Sequence, residues 1–155
     1  MQSSQNRIMA RYRSILGLIL ALVTVFVVSC SSPTTTKTAA YTTTQLEQIQ
    51  GYADGLTAVR DRLPELATLI QNRKWNDVGS FIHGPLGELR IQMSTLSRSL
   101  LPDAQSTALE TAKNVFGHLN QLDQAAKDES YERAIRQYAE ALKDFDAFLQ
   151  LVPQA

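Results

Sequence analysis

Cysteine is almost absent from this sequence, because Cys30 is the only one among 155 residues. A single thiol excludes an intramolecular disulfide bond, so no covalent cross-link stabilises the fold. Charge of one sign is not in excess either, since 15 basic side chains are balanced by 15 acidic ones. This balance gives no indication of a nucleic-acid surface. The fold must therefore depend on its apolar core.

Long hydrophobic runs are limited to one uncharged stretch, residues 15–28, which follows Arg7, Arg11 and Arg13. Its 14 residues would form a helix of about 21 Å. A stable membrane span must cross about 30 Å of hydrocarbon. A basic segment followed by a short apolar one is typical of a secretory signal, so residues 1–29 are predicted to be a cleaved signal peptide.

Cys30 lies at the end of this apolar run, after Val27, Val28 and Ser29. These four residues have the form of a bacterial lipobox. The resemblance implies that Cys30 carries a diacylglyceryl thioether and an N-acyl group once the signal is removed, and that this lipid is the only group the chain carries. Several acyl chains hold a protein firmly on a bilayer. An ordinary signal peptide with an incidental cysteine, or an uncleaved signal anchor, is the alternative.

Residues 31–43 are mostly Ser, Thr and Ala with one Pro, and such a composition buries little surface. We therefore expect residues 30–43 to form a lipidated flexible tether of about 20 Å on average. Removal of residues 1–29 leaves 12 basic and 15 acidic side chains. This mature chain has no polybasic surface, so the lipid alone would hold it at the membrane.

Residues 44–155 have apolar positions at steps of three and four, which predicts an all-α fold with four amphipathic helices. The first helix is predicted from a capping box at Thr44 and Glu47 to about Asn72. Pro64 should cause a kink at residues 60–63, or a restart with Asp61 as the cap. The other helices are expected at about 77–100, from Pro102 to about Ala126, and from Tyr131 to about Val152. Short connections between them favour an up-down-up-down four-helix bundle.

Sequence motifs of known catalytic sites are missing. No Glu-x-x-His di-iron motif, His-Glu-x-x-His zinc motif, phosphate-binding loop or Gly-x-Ser-x-Gly elbow occurs. The two histidines, His83 and His118, are weak metal candidates, since two ligands do not complete a structural site. A single hydrogen bond across helices is the favoured role of each histidine. The residues by themselves therefore indicate no known catalytic chemistry and no small-molecule substrate.

The segment at residues 81–90, FIHGPLGELR, interrupts the second helix. Gly84 and Pro85 inside a helix cost about 1 and 3 kcal/mol relative to Ala. One interpretation is that Gly84 and Gly87 permit close contact with a neighbouring helix while Pro85 begins a new helical segment. The other is that the break exposes a partner-binding surface. For that surface the predicted residues are Trp75, His83, Gly84, Pro85 and Arg90.

Three stretches, at residues 75–90, 99–128 and 138–153, resemble cyanobacterial members of the PsbQ family, and the resemblance covers essentially the whole chain. It is most specific in residues 75–90 and 115–119. It implies a non-catalytic extrinsic lipoprotein that binds lumenal subunits of photosystem II at the thylakoid membrane. Family members are thought to stabilise the oxygen-evolving complex and to favour its retention of calcium and chloride.

A second hypothesis is a periplasmic metal-binding or carrier lipoprotein on the same helical bundle. In that case His83 and His118 would contribute to the metal site. The signal also does not specify the compartment, because chains reach the thylakoid lumen and the periplasm through similar signals.

Overall fold

The computed structural model describes residues 40–153, and the regular secondary structure of this part of the chain is all helix, without strands. The predicted signal peptide, Cys30 and the tether up to residue 39 lie outside the described residues, as do residues 154–155. None of the described helices is both long and apolar enough to cross a membrane. The helical segments are α1 (Thr43–Asp61), α2 (Leu63–Gln71), α3 (Trp75–His83), α4 (Leu89–Ser99), α5 (Pro102–Lys127) and α6 (Tyr131–Leu149).

The predicted helical bundle is confirmed. The segments α1 and α2 together form the first helix, α3 and α4 form the second, and α5 and α6 are the third and fourth. Each of these helices packs against its neighbours in the chain, and the fourth returns to pack against the first. Successive helices joined by short connections run in opposite directions, as in an up-down-up-down bundle.

Apolar side chains from all four helices form one core. Its largest fully buried members include Leu66, Met93, Leu122, Phe145 and Phe148. These residues occupy the positions that the three- and four-residue spacing predicted to be buried. At the edge of the core, Arg60 Nε donates a hydrogen bond to Asp146 Oδ1 at 2.6 Å, which ties α1 to α6.

The first helix begins slightly earlier than predicted. The capping box consists of Thr42 and Gln45, because the Gln45 amide donates to the Thr42 hydroxyl and the Thr42 amide donates to the Gln45 side chain. The predicted box at Thr44 and Glu47 is therefore wrong. Threonines are adjacent here, and the sequence signature fits more than one register. Just before the helix, the hydroxyl of Tyr41 accepts a hydrogen bond from the Leu101 amide at 2.9 Å.

The first helix is broken at Arg62, within the range predicted from Pro64. Arg62 lies between α1 and α2 as the cap residue of both, and Pro64 lies in the first turn of α2. Proline is tolerated there because the first helical N–H groups have no intrahelical partner. Asp61 was one predicted cap, but it is the last residue of α1, and α2 begins without a side-chain cap.

The break in the second helix is a turn of five residues, 84–88, between α3 and α4. Pro85 lies inside this turn, so the prediction that it begins a helical segment is wrong, and α4 begins at Leu89. The carbonyl of Phe81, which Pro85 cannot satisfy, accepts from the Leu86 amide at 3.3 Å. The side chain of Leu86 is buried, so the turn is anchored to the core.

The two glycines of this turn make room for its own backbone rather than for another helix. A Cβ atom on Gly84 would lie 2.9 Å from the Ser80 carbonyl oxygen, and one on Gly87 would lie 2.7 Å from the His83 carbonyl oxygen. Both distances are too short for a real side chain. The predicted close contact of Gly84 and Gly87 with a neighbouring helix is thus corrected to a tight local turn.

Two helices end in the same way at one end of the bundle. After α2 and after α5, a residue with positive φ follows the cap: Arg73 (φ 53°) and Glu129 (φ 50°). In each case the next amide, of Lys74 or Ser130, donates to the third carbonyl from the helix end. This is the Schellman arrangement, in which glycine is the usual residue. Both connections are therefore tight and locally strained.

Candidate partner-binding site

The five predicted partner-binding residues lie on one continuous segment. Trp75 begins α3, His83 ends it, Gly84 and Pro85 form the turn, and Arg90 is the second residue of α4. Trp75 is partly buried against the core, whereas the other four are exposed. The α3–α4 segment therefore presents the predicted residues at the surface, supported from behind by α5.

His83 is joined to α5 through a short polar chain. Its Nε2 atom lies 3.1 Å from Asp123 Oδ1, and the other oxygen of Asp123 accepts from Lys127 Nζ at 2.6 Å. The His83 side chain is 69% exposed, but that of Asp123 is only 14% exposed. Asp123 thus forms the floor of this cluster beside Gly79, where an added Cβ would lie at an ordinary contact distance of 3.9 Å from Asp123 Oδ1.

The carboxylate of Asp123 is stabilised in its charged form. Burial raises its pKa, but the hydrogen bond from Lys127 and the interaction with His83 together outweigh that effect, so the pKa lies below its ordinary value. The cluster consequently has its own internal charge partners. It joins α3 to α5.

An open cleft of about 440 Å³ surrounds this cluster, and we name it the Trp75 cleft. One wall is α3 and the other is the C-terminal end of α5. Glu129, with its positive φ, lies at the edge. Its lining residues are Trp75, Asn76, Gly79, Ser80, His83, Asp123, Ala126, Lys127 and Glu129.

A second cleft, of about 330 Å³, lies on the other side of His83, and we name it the Arg90 cleft. The guanidinium carbon of Arg90 is 4.5 Å from the centroid of the Phe116 ring, which is a cation–π contact. His83 lines both clefts, so they are adjacent. The residues that line the Arg90 cleft are Ile82, His83, Leu86, Gly87, Arg90, Phe116, Leu119 and Asn120.

His118, the other metal candidate, is placed elsewhere. It lies between α5 and α6, where Nδ1 is 2.8 Å from Gln137 Oε1 and Nε2 is 3.4 Å from Asp144 Oδ2. Both histidines therefore make hydrogen bonds across helices, in separate places. Within residues 40–153, no group of three or more His, Cys, Asp or Glu side chains is arranged to hold a metal ion. No observation supports the metal carrier.

Sequence reasoning did not identify the α5 half of the site. Asp123 and Lys127 have the spacing of a helical ion pair, which was a usable local signal. Nothing local, however, joins Asp123 to His83, which is 40 residues away. Phe116 packs partly buried against the core, and its ring contacts the Arg90 guanidinium.

Comparison with known proteins agrees with the resemblance seen in the sequence. Residues 1–153 match the family PsbQ, described as oxygen evolving enhancer protein 3. The chain is also 49% identical over 148 residues to the protein CyanoQ from Synechocystis sp., a match that covers 95% of this chain and 99% of that protein. The chain therefore belongs to the PsbQ family, the non-catalytic extrinsic subunits of photosystem II on the lumenal side of the thylakoid.

Proposed function

We propose that this chain is held at the lumenal surface of the thylakoid membrane by a lipid on Cys30 and docks on lumenal subunits of photosystem II through its α3–α4 segment. Docking would stabilise the oxygen-evolving complex and favour its retention of calcium and chloride. The main support for this choice of docking face is the pair of adjacent open clefts beside His83.

The Cys30 anchor is supported by the sequence around it, since a short apolar run and small residues precede a single thiol. Tyr41 fixes where the tether would meet the bundle, because its hydroxyl accepts from the Leu101 amide. From residue 30 to residue 41 the chain can extend over about 40 Å at most. The lipid would therefore keep the bundle close to the membrane surface.

The lipid would also raise the affinity for a membrane complex. A tethered protein binds at a high effective concentration, so modest contacts are sufficient. Aromatic and arginine side chains such as Trp75 and Arg90 are the types that most often contribute large binding energies at interfaces. A rigid bundle exposes them with little loss of conformational entropy.

Isolation of photosystem II in mild detergent from cells that produce the full chain tests this function. We expect the chain to copurify with the complex, and mass spectrometry of the mature protein to show Cys30 as an acylated N-terminus. Cells that lack the protein should lose oxygen evolution faster than wild-type cells when calcium or chloride is scarce.

A matched control is Cys30→Ser, which removes the thiol and leaves the bundle unchanged. We expect its product to be absent from purified photosystem II, or strongly reduced there, because the lipid is missing. Recovery of the wild-type chain only as a free protein would contradict the proposed docking. A mature N-terminus without acyl groups would contradict the anchor alone.

A further inference from the structure

We propose that the Arg90 cleft binds a carboxylate-bearing segment of the protein partner, in which an apolar side chain adjacent to the acid enters the cleft. This inference rests on the proposed docking function and specifies the chemistry of the partner at one site. The occupant is a protein segment with Asp or Glu beside an apolar residue.

The position of the Arg90 guanidinium is fixed by an aromatic ring. Its central carbon lies over the Phe116 ring, 4.5 Å from the centroid, and this contact restricts where the guanidinium can lie. A planar guanidinium matches a carboxylate with two parallel hydrogen bonds. Because the stack restricts the side chain beforehand, less conformational entropy is lost on binding.

The charge of Arg90 has no partner within the described part of the chain. Several other arginines are paired with carboxylates there: Arg60 with Asp146, Arg62 with Glu65, and Arg133 with Asp128. Arg90 forms neither an ion pair nor a side-chain hydrogen bond among residues 40–153. Its N–H donors are therefore free to bind an external acceptor.

Among residues 40–153, those that line the Arg90 cleft include no carboxylate. Arg90, His83 and Asn120 are its polar members. The nearby acid of α5, Asp123, is already bonded to His83 and Lys127. The cleft is thus complementary to a negative group and offers it no competing anion of its own.

The remainder of the cleft is apolar. Ile82, Leu86 and Leu119 are buried at its base, and Gly87 also lines it. An apolar side chain of the partner would cover this surface while its acid reaches Arg90.

The Trp75 cleft is a weaker candidate for a charged ligand. Its central acid already has two partners, so an incoming ion would have to compete with them.

At about 330 Å³, the Arg90 cleft is at the small end of ligand pockets. That volume suits one or two side chains of a partner.

Binding of the full mature chain to photosystem II membranes depleted of this subunit tests the inference. Arg90→Gln should weaken binding at least about tenfold and reduce its dependence on salt. Arg98→Gln is the matched control, because it changes the net charge equally on the same exposed helix, α4. We expect Arg98→Gln to bind as the wild type does.

A second variant identifies the occupant. Arg90→Lys places an amine at this position, and a zero-length carbodiimide reagent joins amines to carboxylates by forming an amide bond. We expect a cross-link from this lysine to an Asp or Glu beside an apolar residue in a photosystem II subunit. The variant Arg98→Lys should give none.

The outcomes separate the two proposals. If the wild-type chain does not bind photosystem II, the proposed function fails. If it binds and Arg90→Gln binds equally well, only the inference fails. Cross-linking of Arg90→Lys to a second copy of this chain would overturn the inference too. The same holds if Arg90→Gln weakens binding to protein-free anionic vesicles but leaves binding to photosystem II membranes unchanged.

Discussion

The two halves of the bundle are built differently. In the C-terminal half, α5 and α6 are uninterrupted helices of 26 and 19 residues that pack along each other. In the N-terminal half, both helices are broken, the first at Arg62 and the second at residues 84–88. Each break lies close to a proline, Pro64 or Pro85. The continuous half acts as the support on which the interrupted half is arranged.

This difference has a functional consequence. The turn at residues 84–88 separates α3 from α4, and both segments still pack against α5. The two clefts lie along this contact, on either side of His83. An unbroken second helix would bury its apolar face evenly. The interruption instead leaves openings in which charged and aromatic side chains meet.

The largest expected effect tests whether the halves share one core. Phe145→Ala in α6 removes a buried ring, which should lower the free energy of unfolding by about 3–5 kcal/mol. Met93→Ala in α4 should cost about 2–5 kcal/mol. We expect a single urea transition, seen identically by circular dichroism and by Trp75 fluorescence, for both variants. Separate transitions would contradict a shared core.

A pair of glycine substitutions contrasts the halves directly. Gly87→Ala places a Cβ 2.7 Å from a backbone oxygen in the turn. It should destabilise the protein by about 1–3 kcal/mol. In the uninterrupted α5, the Cβ added by Gly117→Ala would meet no atom of residues 40–153 within 4 Å. This substitution should stabilise by about 0.5–1 kcal/mol, because alanine favours a helix interior. Thermal unfolding measures both changes in stability. If both variants were stabilised, or both destabilised, the contrast between the interrupted and the continuous half would be wrong.

The smallest expected effect concerns acid stability at the junction of the two halves. Since the pKa of Asp123 is lowered in the folded state, its stabilising contribution is present above the unfolded pKa of about 3.9 and decreases as the pH falls through the folded value. We expect the stability difference between wild type and Asp123→Asn to shrink between about pH 5 and pH 2. Urea midpoints across this range measure the difference.

The corresponding control is Asp128→Asn at the α5–α6 connection. A hydrogen bond from Arg133 lowers the pKa of Asp128, but this aspartate is exposed. We expect its effect on acid stability to be weaker than that of Asp123, because solvent screens an exposed pair. A constant difference between wild type and Asp123→Asn at all pH values would exclude a stabilising role for the Asp123 charge.

Much of the helical architecture was predictable from the sequence. The spacing of apolar residues located α5 and α6 within a few residues, and Pro64 marked the first break. The residues at which individual helices begin and end were less predictable. The capping box was placed two residues too late, since consecutive threonines offer equivalent caps. The turn after His83 was expected to restart a helix at Pro85, but residues 84–88 form a non-helical turn in which a Cβ at position 84 or 87 would meet backbone oxygen.

The candidate site was only half predictable. The residues Trp75, His83 and Arg90 were selected because they lie in one unusual segment of sequence. Their partners Asp123 and Phe116 come from α5, and only the packing of that helix brings them into contact. A local pattern contains no information on which distant side chain will lie beneath an exposed one. Cys30 lies outside the described residues, and its lipidation stays a prediction.

The sequence by itself determined the helices, their order and the apolar faces, because hydrophobic periodicity and proline act within a few residues along the chain. It also determined the single thiol and the absence of known catalytic motifs. Only the tertiary structure decided that Arg90 stacks on Phe116 and that His83 bonds to Asp123. These contacts join residues 26 and 40 positions apart, and they exist because antiparallel helices pack side by side.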